Sequence, residues 1–303
     1  MIAIRGACPV LAVPFSDEGA LDVDGFISVV EHVVGSGVSA VTLFGLASEF
    51  HKLTDAERER LVAALVERTR SNANVAAVIS VTDHATEVAV ERARTYVAAG
   101  ADALMLLPPF FLGPSAAAII AHVEEVLAAV SVPVIAQYAP VQTGVRIDAE
   151  VWASLHEARS NLALIKVEAQ PPGPYVSAIA AASSGALGSL VGYAGVQLPD
   201  ALRRGAIGVQ PGCSFTEIYV ELMRLWDTGD AAGFNLLHRR LLPFISYWMQ
   251  GVELIVQAEK SILARRGLIA GDYCRRPGYV MDGEERLMID RFLDEFADFL
   301  PTT

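Results

Sequence analysis

Lysine is scarce in this chain: Lys52, Lys166 and Lys260 are the only three among 303 residues. Lys52 lies in the loop before Thr54-Asp55-Ala56-Glu57, which reads as a capped helix start, and Lys260 follows Glu259 on a helical segment. Both are expected to be solvated. Lys166 is different, because it interrupts the apolar run Leu162-Ala163-Leu164-Ile165-Lys166-Val167-Glu168. A buried ammonium without a partner costs several kcal/mol, so a lysine in such a run has a specific use. Strand alternation places Leu162, Leu164, Lys166 and Glu168 on one face and Ala163, Ile165 and Val167 on the other. Two uses fit this pattern. Burial disfavours the charged form of an amine, and a neutral amine attacks a ketone to form an iminium electron sink. Alternatively, Lys166 and Glu168 form an ion pair that only fills the interior.

The elements that would position Lys166 are legible as an alternation. Short apolar runs occur at Pro9–Phe15, Ala40–Phe44, Val75–Val81, Ala103–Leu107, Val132–Tyr138, Leu162–Val167, Ala186–Val191 and Ala206–Val209. Amphipathic segments of helical period lie between them, at Asp22–Val34, Asp55–Arg70, Thr86–Ala98, Ala116–Val130, Ala149–Ala158, Pro174–Ala182 and Val196–Arg204, and Thr216–Trp226 follows the last run. Strands that are apolar throughout are buried on both faces, which is the parallel-sheet pattern. Eight such units predict an α/β fold, a (β/α)8 TIM barrel over residues 1–228. A doubly wound sheet would want a Gly-rich phosphate turn after its first strand, and Pro14-Phe15-Ser16-Asp17-Glu18-Gly19 is not one. Helical segments at Asp230–Trp248, Val252–Arg266 and Gly283–Leu300 predict a C-terminal helical extension, residues 229–303, packed on the barrel. In this architecture the aliphatic face of the sixth strand meets helices. Lys166 then points inward near the C-terminal end, where barrel active sites lie.

Composition narrows the function further. The chain is 53% hydrophobic and 19% charged, and its 35 acidic against 23 basic residues give a formal charge of −12. Such a surface repels phosphate backbones and anionic lipid, so neither nucleic acid nor a membrane is an expected partner. The opening Met1-Ile2-Ala3-Ile4-Arg5-Gly6 lacks the basic and apolar regions of a signal peptide, and no uncharged apolar run reaches the ~18 residues of a membrane span. A cytoplasmic location is expected. Cys8, Cys213 and Cys274 have neither metal-knuckle spacing nor a disulfide pattern.

Several segments, taken in order, resemble the dihydrodipicolinate synthase / N-acetylneuraminate lyase superfamily of class I Schiff-base aldolases and dehydratases. Ile165-Lys166-Val167-Glu168 is similar to its Schiff-base strand. Gly45-Leu46-Ala47-Ser48-Glu49 resembles its second-strand Gly-Thr-Thr-Gly-Glu loop, and Pro108-Pro109-Phe110-Phe111 its Thr-Pro-Tyr-Tyr turn. Pro140 with Thr143-Gly144, Gly205-Ala206-Ile207-Gly208 and Arg276-Pro277 continue the match along nearly the whole chain. The resemblance implies a pyruvate-type 2-oxo acid held as an iminium on Lys166, with its carboxylate on the backbone N–H groups of Leu46 and Ala47 beside Ser48. It also implies no metal and no organic cofactor, because the protein's own amine is the electron sink, and a homotetramer built as a dimer of dimers.

The departures from that pattern point within the superfamily. The strand-five tyrosine that carries protons in the synthases is matched by Gln137, the threonine of the second-strand turn by Leu46, the neighbour-subunit tyrosine by Phe111 and the carboxylate-gripping arginine by Gln142. An amide, an isobutyl group and a phenyl ring offer no titratable relay. With Lys-x-Glu on strand six, this set is most similar to the L-2-keto-3-deoxyarabonate dehydratase-like branch, so dehydration of a 3-deoxy-2-oxo sugar acid is favoured slightly over retro-aldol cleavage. The alternatives are synthase-type condensation and an oxo-acid-binding protein without catalysis. Glu168, about 6.6 Å along the strand from Lys166, is the candidate base or an orienting partner for the amine. Tyr138 is expected to pack outward under a helix. Tyr193, in the loop after strand seven, is a candidate for substrate contact. His51 and His84 are expected in solvated loops, and Ser80 and Thr82 at the end of strand three.

Overall fold

The computed structural model describes residues 4–72 and 74–300. Met1–Ala3, and with them half of the opening segment, lie outside those residues. Eight strands, β1 (Gly6–Ala7), β2 (Ala40–Leu43), β3 (Ala76–Val81), β4 (Ala103–Leu106), β5 (Val134–Tyr138), β6 (Leu162–Val167), β7 (Gly188–Val191) and β8 (Gly208–Val209), form one sheet in the order β1-β8-β7-β6-β5-β4-β3-β2. The resolved registers are parallel, from Val78 opposite Ala103 to Val191 opposite Val209. Helices follow the strands, and Ala231–Trp248, Val252–Arg265 and Gly283–Glu295 follow the last unit. The fold is a nearly closed (β/α)8 TIM barrel with C-terminal helices. By its internal contacts the chain falls into two compact units, one built on Ala76–Gln210 and the other on Gly6–Val75 with Pro211–Thr303.

Local chemistry explains the element ends. Thr54 and Glu57 form the expected capping box, each side chain taking the other's backbone N–H, and Asp282 and Glu285 repeat it before the last helix. Asp22 caps its helix by accepting from the Gly25 N–H at 2.8 Å. The first strand departs from expectation. Pro9–Phe15 is not a continuous strand: Val10 bridges in parallel to Thr42 and to Gly212, while Pro9 and Pro14 have no N–H to offer a ladder. The last helix stops at Glu295, five residues before the expected Leu300.

A larger departure lies in the helix Val252–Arg265. Lys260 is fully buried, not solvated. Its Nζ bonds to Glu49 Oε1, donates to the Tyr273 carbonyl at 3.0 Å and sits 4.2 Å from the centroid of the Phe15 ring. Lys52 is also enclosed, between Glu49 Oε2 at 3.0 Å and Glu253 Oε2 at 2.8 Å. Leu254, Ile255, Val256, Ala258, Ile262 and Leu263 place apolar groups around most of the helix circumference, a pattern that marks a buried helix in which no lysine stays wet. Glu49→Gln would leave the Lys260 ammonium buried without its counter-charge. A loss of about 3–5 kcal/mol in urea denaturation is expected, with much of it recovered when Lys260→Met is added.

Glu259 beside it is buried as well. Its Oε2 accepts from the Ser214 N–H at 2.7 Å. Burial pushes this carboxyl up to about 7 from 4.5, against the lowering effect of the hydrogen bonds from Ser214 and Cys213. Because the folded state holds this proton more tightly than the unfolded chain, the contribution of Glu259 to stability falls as pH rises from about 4.5 to about 7. Glu259→Gln is expected to flatten that part of the stability–pH curve and to gain a few kcal/mol at pH 8, measured by urea denaturation across pH.

Candidate active site

Lys166 stands on β6, one residue before its end, and is 5% exposed. Parallel pairing places Gln137 of β5 directly opposite Lys166, so the two side chains leave the same face of the sheet. Glu168 follows on that face, its backbone N–H donating to the Tyr138 carbonyl at 2.8 Å, which carries the ladder one residue beyond the strand. The three side chains meet. Glu168 Oε1 lies 3.4 Å from Lys166 Nζ, and Glu168 Oε2 accepts from Gln137 Nε2 at 2.5 Å. The carboxylate is thereby oriented by a neutral amide on one side while its other oxygen faces the amine. All three residues are buried.

Gly192, at the end of β7, makes this arrangement possible. A Cβ there would stand 2.5 Å from both Glu168 Cγ and Oε1, so any side chain displaces the carboxylate. Beyond it Tyr193, Ala194 and Gly195 all have positive φ, at 51°, 47° and 68°. Two non-glycine residues in succession in this region carry backbone strain, which the surrounding packing must hold. The strained turn sets the Tyr193 hydroxyl against Gln142, whose Nε2 donates to it at 2.9 Å. Burial raises the Tyr193 hydroxyl above its ordinary value, the Gln142 hydrogen bond opposes this, and the Glu168 charge adds to the rise. Lys166, Glu168 and Gln137 thus form one polar set, and Gln142 with Tyr193 forms a second pair whose hydroxyl feels the Glu168 charge. The sequence does not single out Gly192, because a glycine after an apolar run signals only a turn.

Tyr138 faces the other side of the sheet. It pairs with Val167 and stacks on Tyr175 of the helix Gly173–Ala182, with ring centroids 4.0 Å apart. Phe111 lies apart from the polar set, 80% exposed in the loop after β4, with its ring centroid 6.4 Å from that of His84. His84 is exposed, and His51 makes a half-exposed 3.6 Å contact with Glu253. Ser80 and Thr82 are both buried, and among the described residues the Ser80 hydroxyl has no hydrogen-bond partner.

The second-strand turn is built by its own logic. Phe44 and Glu49, at either end, have positive φ of 66° and 50°, and Leu46–Ser48 between them form a single helical turn. Gly45 is required: a Cβ would meet Val10 Cγ1 at 2.6 Å. The Ser48 hydroxyl is committed internally, donating to the Leu11 carbonyl at 2.6 Å and accepting from the Phe44 N–H at 3.1 Å. Glu49 is anchored by Lys52 and Lys260. Two of the three lysines therefore brace one carboxylate at the end of this turn. The N–H groups of Leu46 and Ala47 open the helical turn, where intrahelical acceptors are missing, and both residues are half-buried.

The site thus encloses a lysine and a carboxylate at the end of β6 of a (β/α)8 barrel. The chain belongs to the dihydrodipicolinate synthetase family, whose model matches residues 3–296. It is an enzyme of the lyase class. The chain is 30% identical over 280 residues to the 4-hydroxy-tetrahydrodipicolinate synthase of Corynebacterium aurimucosum, covering 91% of this chain and 89% of that protein. It is 29% identical over 280 residues to 4-hydroxy-tetrahydrodipicolinate synthase 1 of Streptomyces coelicolor, covering 88% and 86%. Among solved structures, a putative dihydrodipicolinate synthetase from Pseudomonas aeruginosa superposes with a TM-score of 0.89 at 23% identity, covering 97% of this chain and 99% of that one. The fold of YagE, an Escherichia coli K12 prophage protein of the same family solved with pyruvate, matches with a TM-score of 0.86 at 21% identity, covering 97% and 98%. Among the described residues, no helix is long and apolar enough to cross a membrane.

Proposed function

We propose that this protein is a class I lyase that holds a pyruvate-type 2-oxo acid as an iminium on Lys166 and makes or breaks a carbon–carbon bond at C3 of that acid. The enclosure of Lys166 with Glu168 as its neighbouring charge carries this reading. The amine would attack the C2 carbonyl and water would leave. Glu168 would then take a proton from C3, which the iminium acidifies, and the resulting enamine carbon would add to an aldehyde. Gln137 would hold the carboxylate in place. The N–H groups of Leu46 and Ala47 are the proposed donors to the substrate carboxylate, with Ser48 fixing their turn. Gln142 and Tyr193 would meet the distal half of the substrate. The names of relatives such as the 4-hydroxy-tetrahydrodipicolinate synthases of Corynebacterium aurimucosum and Streptomyces coelicolor favour this bond-forming chemistry over the dehydration that the sequence motifs favour. The homotetramer, with Phe111 reaching a neighbouring subunit, and the cytoplasmic setting belong to the same proposal.

A second reading rests on one observation. The inner face of β5 presents the amide of Gln137, bonded to Glu168, where a relay through that strand would want a hydroxyl. Glu168 could then return its proton to a departing C4 hydroxyl, which makes the enzyme a dehydratase of 3-deoxy-2-oxo acids. Borohydride reduction in the presence of pyruvate tests what the two readings share, with a pyruvyl mass expected on Lys166. An adduct on Lys52 or Lys260, or none, removes both. Product analysis separates them: carbon–carbon bond formation from pyruvate and an aldehyde panel that includes aspartate semialdehyde supports the first. Water loss from a 3-deoxy-2-oxo sugar acid without carbon–carbon cleavage supports the second.

A further inference from the structure

Behind β5 and β6, on the face opposite Lys166, lies a cavity of about 490 Å³. Its volume falls in the range of small-molecule sites, roughly 300–1,000 Å³. One wall is the Tyr138–Tyr175 stack, whose rings are inclined by only 16°. That wall is fixed, because Tyr175 donates its hydroxyl to the Ile147 carbonyl at 2.5 Å. Pro171 and Pro174 line another side and bring apolar rings without backbone N–H groups, and Ala178 leaves room between them. Stacked aromatic rings and prolines together suit a flat apolar body.

Gln170 and Arg146 add polar side chains to the lining, and Arg146 brings the charge. Arg146 lines the cavity, and among the described residues it makes no ion pair, although the chain carries a formal charge of −12. A guanidinium presents a planar fork of donors that matches a carboxylate. An aromatic and proline-lined cavity with one unpaired guanidinium recognises a molecule with a flat ring at one end and an anion at the other.

We propose that this cavity is a binding site for a planar aromatic carboxylic acid, whose ring lies among Tyr138, Tyr175 and the prolines and whose carboxylate pairs with Arg146. The proposal does not rest on the iminium chemistry, although Gln170 in the cavity wall bonds to the Tyr193 hydroxyl of the candidate active site. The cavity is also covalently close to that site, since Tyr138 follows Gln137 and the loop to Pro171 starts at Glu168.

Titration of the full chain with 1-naphthoate at neutral pH, followed by saturation-transfer NMR and calorimetry, tests the assignment. Saturable binding with a Kd of roughly 0.1–1 mM is expected for so small a ligand. Arg146→Ala, a surface change that the fold tolerates, should weaken binding by about tenfold or more. Ala178→Trp should abolish it by filling the cavity, and Lys166→Arg should leave it unchanged. The neutral 1-naphthamide should bind like the Arg146→Ala variant binds the acid. Absence of saturable binding overturns the proposal. So does parental affinity in either Arg146→Ala or Ala178→Trp, and so does loss of binding in Lys166→Arg, which would place the acid in the lysine site.

Discussion

Lys166→Arg is expected to lose turnover by on the order of 10⁴-fold or more and to form no borohydride-trapped adduct, while staying folded. The change keeps a positive charge beside Glu168 Oε1 and so keeps the 3.4 Å ion pair in kind. What it removes is the nucleophile, because a guanidinium does not deprotonate near neutral pH. If Lys166 and Glu168 only filled the interior as an ion pair, arginine would be a mild substitution and activity would survive. Steady-state assay with far-UV circular dichroism as a folding control distinguishes the two. Substantial turnover by the variant would remove the Schiff-base mechanism.

Glu168→Gln separates proton transfer from packing. Glutamine keeps the size and reach of the side chain and still accepts from Gln137 Nε2, but it has no titratable group. The variant should form the trapped iminium on Lys166. Exchange of the C3 protons of bound pyruvate with heavy water, read by NMR, should fall by roughly 10²–10⁴, the usual worth of general acid–base catalysis. Exchange within a few-fold of the parent would make Glu168 an orienting group and move the proton to another carrier. Loss of trapping would instead show that Glu168 prepares the amine.

The two-residue period of a strand is strict, and it is why much of the lysine site is legible in the amino-acid sequence. With Leu164 and Ile165 on opposite faces, Lys166 and Glu168 have to share one. Gln137 comes to the same face through the β5–β6 register, while Tyr138 turns away. Apolar runs without alternation are enough to predict a parallel sheet, since only strands covered on both sides read that way. The lyase class is legible too, through the ordered motifs. Preference among reactions is not: the motifs point to dehydration, whereas the names of the relatives favour synthase chemistry.

What the tertiary structure decides is contact between residues remote in sequence. Lys260 reads as solvated because local sequence shows a charge beside a charge. Its burial depends on Glu49, 211 residues away, and on the Phe15 ring. The fit of Gly192 against Glu168, and the stack of Tyr138 on Tyr175 that walls the cavity with Arg146, also arise from packing between elements. Pro9–Phe15 reads as a strand by composition, but a strand needs a continuous ladder, and this segment makes isolated bridges at Val10 and Phe15. Sequence periodicity settles which face a side chain takes. Which groups lie across from that face, and hence whether a charge is enclosed, paired or wet, is settled only when distant segments pack.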